Sequence, residues 1–77
     1  MTQINVLLHT INDVKEFVEI VSQVDFEIDL VSGRYAVDAK SIIGIFSLDL
    51  AGPITANIYS DDCAQLLARL EKFRAQG

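Results

Sequence analysis

The chain has 77 residues, of which 51% are hydrophobic, and carries a formal net charge of −5. That length makes a single domain over residues 1–77, able to bury only about 60% of the surface its unfolded form exposes. The charge argues against a nucleic-acid or anionic-membrane partner, and one cysteine with one histidine excludes a disulfide framework and an ordinary zinc site.

The opening "MTQINVLL" lacks the basic segment and small-residue cleavage site of a secretory signal, so a cytoplasmic protein is expected. Ile4 to Leu8 form an apolar run that reads as a buried strand. Thr10 then predicts an N-cap, and Asp13, three residues later, completes an acidic variant of the capping box. Behind it Ile11, Val14, Phe17, Val18 and Val21 recur at helical spacing, with Asn12, Lys15, Glu16, Glu19 and Ser22 on the other face. The pattern predicts an amphipathic helix ending near Gln23.

From Phe26 the period changes to two, with Phe26, Ile28 and Leu30 alternating against Glu27 and Asp29. Ser32-Gly33 is a turn signal and Tyr35 and Val37 continue the alternation, so residues 26–38 read as a hairpin. Ser41 is placed to cap one or two helical turns over the short run Ile42-Ile43-Gly44-Ile45-Phe46. Ala51-Gly52-Pro53 makes a second turn, and Ile54, Ala56 and Ile58 alternate as a fourth strand, too short and polar to cross a bilayer. Ser60-Asp61-Asp62 reads as the cap of a last helix with the core stripe Cys63, Leu66, Leu67, Leu70 and Phe73. The order β-α-β-β-α-β-α predicts an α+β fold, an open-faced β-sandwich with a four-stranded sheet and three helices on one face.

The segment "DAKSIIGIFSLDLAGPITANIYSDDCAQLLARLEKF" resembles the HPr family, the small phosphocarriers of the bacterial phosphoenolpyruvate-dependent sugar phosphotransferase system. Its most specific piece, "KSIIGIFSLDL", is similar to the K-S-I-M-G-x-x-S-L pattern of Gram-positive members, and the resemblance extends over roughly residues 17–73. It implies an HPr-like fold with antiparallel strands. It also implies partners among the proteins of the phosphotransferase system, or a regulatory kinase or transcription factor. From the residues alone, no cofactor and no membrane insertion are expected.

The family carries its phosphoryl group on a histidine within G-L-H-x-R-P-A, and here the matching stretch reads "LLHTINDVKE". Leu8, His9 and Thr10 fit, but Leu7 replaces the glycine, Ile11 stands where the arginine would fall, and Asn12 replaces the proline. His9 also lies one residue further from Phe17 than the pattern demands, and the loop before it is missing, which places it at the end of the first strand. Two readings of His9 follow: a phosphoryl acceptor at a helix N-terminus, where N–H groups favour anions, or a strand-end histidine without chemistry. The missing arginine removes a bidentate phosphoryl partner, and Asp13 sets a like charge in the first helical turn.

Ser41 matches the family's kinase-regulated serine, phosphorylated in carbon catabolite regulation, and is equally suited to be a plain N-cap. Ile42, Ile43 and Phe46 match the family's exposed apolar docking patch, while Ile45 and Leu48 would turn inward. Cys63 is either a thiol activated near a helix N-terminus or, given its stripe, a buried structural residue. The expectation is an HPr-like protein with lost or altered histidine phosphotransfer, acting by protein–protein interaction and regulation through the Ser41 helix. The alternatives are a working phosphocarrier using His9 and an interaction module that keeps only the scaffold.

Overall fold

A computed structural model describes residues 1–75. The elements in chain order are β1 (Thr2–Val6), α1 (Ile11–Val21), β2 (Ile28–Ser32), β3 (Tyr35–Asp38), α2 (Ile42–Phe46), β4 (Ile54–Ile58) and α3 (Ala64–Leu70), the last continued by a 3-10 turn, Glu71–Phe73. All strand pairs are antiparallel and the sheet order is β1-β4-β2-β3.

Alternation divides the sheet into two faces. Ile4, Val6, Ile28, Leu30, Ile54, Ala56 and Ile58 are buried, and the residues between them on the same strands are half-buried or exposed. The buried set forms one core with Val14, Phe17, Ile20 and Val21 of α1, Ile45 of α2, and Leu66 and Leu70 of α3. The three helices therefore cover one face, and no polar or charged side chain is buried among the described residues. Phe17 and Phe73 meet edge to face at 5.9 Å between ring centroids, which ties α1 to the end of the α3 segment.

Several expected boundaries shift, each for a tertiary reason. β1 is a half-buried strand rather than a fully buried one, because the helices cover only one face of the sheet. It ends at Val6, and the buried Leu8 belongs to the connection that follows. Ile11 is 62% exposed, since the first turn of α1 overhangs the core, and Ile20 takes its place inside. α1 stops at Val21, where Ser22 closes it through an N–H donated to the carbonyl of Val18 at 2.9 Å.

Phe26 packs partly buried against the core before β2 begins at Ile28. Ser60-Asp61-Asp62 does not cap α3. Its N-cap is Cys63, which makes no capping bond, while the Ser60 hydroxyl bonds to Asp62 within its own turn. Leu67 is only half-buried on α3, and Phe73 reaches the core from the 3-10 turn.

The two sheet edges differ. Along β1, the Leu7 N–H donates to the Phe73 carbonyl at 2.7 Å and the Ala75 N–H to the Asn5 carbonyl at 2.8 Å. The C-terminal segment thus covers the outer side of β1 at that end. β3 has β2 on one side and no described segment paired on the other.

Candidate functional site

The Leu7–Thr10 connection brings His9 to the surface. β1 ends at Val6, so His9 lies beyond the strand in a short loop, not at the strand end, and its side chain is exposed. Among the described residues, no hydrogen bond or ion pair engages the His9 imidazole. The loop exists because Leu8 must turn inward to the core, where it is fully buried, and Thr10 must adopt the extended backbone that opens a helix.

The capping box forms as its spacing predicts. The Thr10 hydroxyl oxygen accepts the Asp13 N–H at 3.0 Å, and the Asp13 carboxylate accepts the Thr10 N–H at 3.3 Å. The same carboxylate oxygen also accepts the backbone N–H of His9 at 3.0 Å, a contact no capping pattern announces. The helix N-terminus beside His9 is thus already occupied by a fixed negative charge. Position 11, where the family's arginine would fall, presents an exposed isoleucine instead.

At the second site the Ser41 hydroxyl oxygen accepts the Gly44 N–H at 3.1 Å and the Ser41 carbonyl accepts the Ile45 N–H at 3.0 Å, which starts α2. Gly44 lies tight against its surroundings: an added Cβ would come within 3.3 Å of the Ser41 hydroxyl and of the Val37 side chain. Ile45 is fully buried and Leu48 nearly so, as expected. Ile43 is 81% and Phe46 45% exposed, while Ile42 is half-buried against the core. The exposed apolar patch of α2 is therefore Ile43 and Phe46, with Ile42 contributing only its outer edge.

Cys63 is 6% exposed, and its thiol points toward the Thr2 hydroxyl at 3.5 Å and the Ser60 carbonyl at 3.8 Å. It has the surroundings of the structural cysteine. On the open face, the Tyr59 hydroxyl donates to the Asp29 carboxylate at 3.0 Å. That bond, followed by the nearby Asp29 and Glu27 charges, raises the Tyr59 phenol above its ordinary range. At the other end of β4 from His9, the terminal ammonium of Met1 pairs with Asp61 and lowers the pKa of that carboxyl. Sequence periodicity announces neither pair, because each partner is brought in by sheet register.

His9 and the Ser41 helix are separate features, one ahead of α1 and one at α2. No group of three or more potential metal ligands occurs among the described residues, and no described helix is long and apolar enough to cross a membrane.

No family model and no curated protein matches the sequence. Solved structures do match. HPr-C-His from Thermoanaerobacter tengcongensis superposes with a TM-score of 0.77 at 22% identity, covering 94% of this chain and 89% of that one. The phosphocarrier protein HPr from Bacillus anthracis gives 0.74 at 24% identity, covering 94% and 95%. A histidine-containing phosphocarrier protein from Mycoplasma gives 0.73 at 14% identity, covering 92% and 89%. The strand order, the helical layer and these superpositions agree that, in fold, the chain is an HPr-like protein.

Proposed function

We propose that the chain is an HPr-like protein of the phosphoenolpyruvate-dependent sugar phosphotransferase system in which histidine phosphotransfer is lost or altered. It acts in the cytoplasm by protein–protein interaction through α2, with Ser41 as a regulatory phosphorylation position and Ile42, Ile43 and Phe46 as the docking residues. Its partners are proteins of that system, or a regulatory kinase or transcription factor.

One observation carries the reading. The Asp13 carboxylate accepts the N–H groups of both His9 and Thr10. A phosphoryl group on His9 would meet that fixed negative charge with no arginine at position 11 to offset it. Ile43 and Phe46, exposed three residues apart on the same short helix, support the docking role, since neighbouring apolar side chains left in water form the kind of patch that marks a contact surface.

The direct test is incubation with phosphoenolpyruvate and the general phosphoryl donor enzyme of the pathway. No acid-labile mass gain is expected, and a gain that disappears in His9→Ala would overturn the loss of transfer. With the pathway's serine kinase and ATP, an acid-stable phosphate absent in Ser41→Ala is expected, and none in either protein would remove the regulatory role.

A second reading keeps His9 as the phosphoryl acceptor. It is favoured by the exposure of the imidazole and by its position directly ahead of the N-terminus of an eleven-residue helix. The same mass measurement separates the two.

A further inference from the structure

The free edge of β3 is self-complementary, and we propose that it is a dimerization seam on which a second copy of this chain pairs antiparallel, strand β3 to strand β3. The register within the β2–β3 hairpin fixes which backbone groups are available. Tyr35 lies opposite Ser32 and Val37 opposite Leu30, across a two-residue turn. Gly33 has φ +59° and no other described residue type takes a positive φ, which makes a type II′ turn, whose flanking pair is hydrogen-bonded.

Pairs alternate from there along an antiparallel ladder. The Ala39 N–H donated to the Ile28 carbonyl at 2.9 Å continues the same phase. Residues 35, 37 and 39 therefore bond inward to β2. The N–H and C=O of Ala36 and the N–H of Asp38 point away from the sheet, while the Asp38 carbonyl accepts the Ser41 N–H at 3.0 Å.

An antiparallel partner must set outward-pointing residues opposite one another. Centring the two-fold on Ala36 does this, with Ala36 facing the partner's Ala36 and exchanging a pair of hydrogen bonds. The same register sets Arg34 beside the partner's Asp38, and Asp38 beside the partner's Arg34. On the helix side it lays Tyr35 against the partner's Val37, an aromatic and β-branched cross-strand pair of the favourable kind.

Sliding by two residues one way would bring Arg34 against the partner's Lys40, a like-charge contact. Sliding the other way runs Asp38 into the partner's turn. Charge on one side and the turn on the other thus select one register.

Observations on the single copy point to the same occupant. Tyr35 is 72% exposed on the last strand of the sheet, beyond the cover of the helices. Asp38 lies directly opposite Asp29, and Asp25 and Glu27 line the same hollow with Lys40, whose ammonium is committed to the Val24 carbonyl. The Arg34 guanidinium has no hydrogen-bond or ion-pair partner among the described residues. The Asp38 carboxylate accepts the backbone N–H of Lys40 at 2.9 Å and makes no ion pair among the described residues, so a second copy pairs two charges, Arg34 and Asp38, that one copy leaves without a counter-ion contact. A strand edge left open in this way is a template for pairing, and the pairing is isologous, as a two-fold dimer requires.

The test is sedimentation equilibrium of the full chain over a concentration series reaching the millimolar range. A reversible doubling of mass is expected, together with slowed hydrogen exchange of the Ala36 amide at high concentration. Ala36→Pro removes an N–H that faces outward on an edge strand, so it leaves the fold intact by circular dichroism. It should weaken the dimer by at least about tenfold, or 1.4 kcal/mol. Arg34→Asp and Asp38→Arg should each weaken it, and the double reversal should restore it.

A chain that stays monomeric throughout, or a dimer that survives Ala36→Pro, overturns the proposal. So does a dimer abolished instead by Ile43→Glu, which would place the contact on α2. Failure of the double reversal to restore pairing overturns the register.

Discussion

Replacing Asp13 by alanine tests how much of the His9 region is built to cap a helix. The carboxylate holds two backbone N–H groups, at 3.0 and 3.3 Å, and is half-exposed. Losing such a capping partner costs about 1 kcal/mol. Losing a negative charge in the first turn of a helix costs about 0.5 kcal/mol more. The better helix propensity of alanine returns about 0.5 kcal/mol.

The net expectation is about 1 kcal/mol, a fall in Tm of about 4–8 °C for a domain of this size. Thermal and urea unfolding by circular dichroism measure it. Asp13→Asn keeps the shape and an acceptor oxygen, so it should lose only the charge contribution, about 0.5 kcal/mol, and that part should shrink in high salt. Hydrogen exchange of the His9 and Thr10 amides should quicken in the alanine variant. An Asp13→Ala protein as stable as the parent, with those two amides exchanging unchanged, would refute the view that this carboxylate fills the helix N-terminus.

Three further outcomes are expected. Phe17→Ala removes a fully buried ring in edge contact with Phe73 and should cost about 3–5 kcal/mol, a large share of the stability of so small a domain, read as a large fall in the urea midpoint. The raised Tyr59 pKa means that the folded state favours the neutral phenol; this contribution to stability is complete below the unfolded value and is lost as pH rises through the folded one. Ultraviolet titration should show the Tyr59 midpoint falling in Asp29→Asn, and no change there would remove the hydrogen bond as the cause. Gly33→Ala forces a side chain into a positive φ and should destabilise by about 1 kcal/mol in the same unfolding assays.

Local chemistry was readable at two of the helix starts. Thr10 with Asp13, and Ser41 with Gly44, follow from spacing alone, and both caps form. The alternation of Ile54, Ala56 and Ile58 likewise marks the central strand β4 without knowledge of its neighbours.

What escaped was set by tertiary placement. Ile11 and Ile20 both fit the apolar stripe of α1, and only the position of the sheet decides that Ile20 is inside and Ile11 outside. Ser60, Asp61 and Asp62 look like cap residues, yet the chain leaving β4 needs one more turn before α3 can start at Ala64. At the candidate site, the presence of His9 and the absence of an arginine could be read from the letters. The Asp13 bond to the His9 amide could not, because it depends on how the loop returns after Leu8 turns inward. Ile43 and Phe46 were separable from Ile45 by helical phase, while the half-buried state of Ile42 needed the core behind it.

The clasp on β1 has a consequence for the order in which the molecule assembles. Every partner of β1 comes from far along the chain: Thr2 pairs with Ile58, Val6 with Ile54, and the carbonyl of Asn5 receives the N–H of Ala75. Only the β2–β3 pair closes over two residues, so it alone avoids the entropy of closing a long loop. The sheet is then expected to grow from that hairpin outward, taking on β4 and last of all β1. Rates should show it: Gly33→Ala should slow refolding, whereas Thr2→Ala, which removes a hydroxyl bonded to the Ser60 carbonyl, should chiefly speed unfolding. The histidine loop is tied to α1 by the Thr10–Asp13 box but joins the sheet only through β1, so its docking on the sheet is expected to come late in folding.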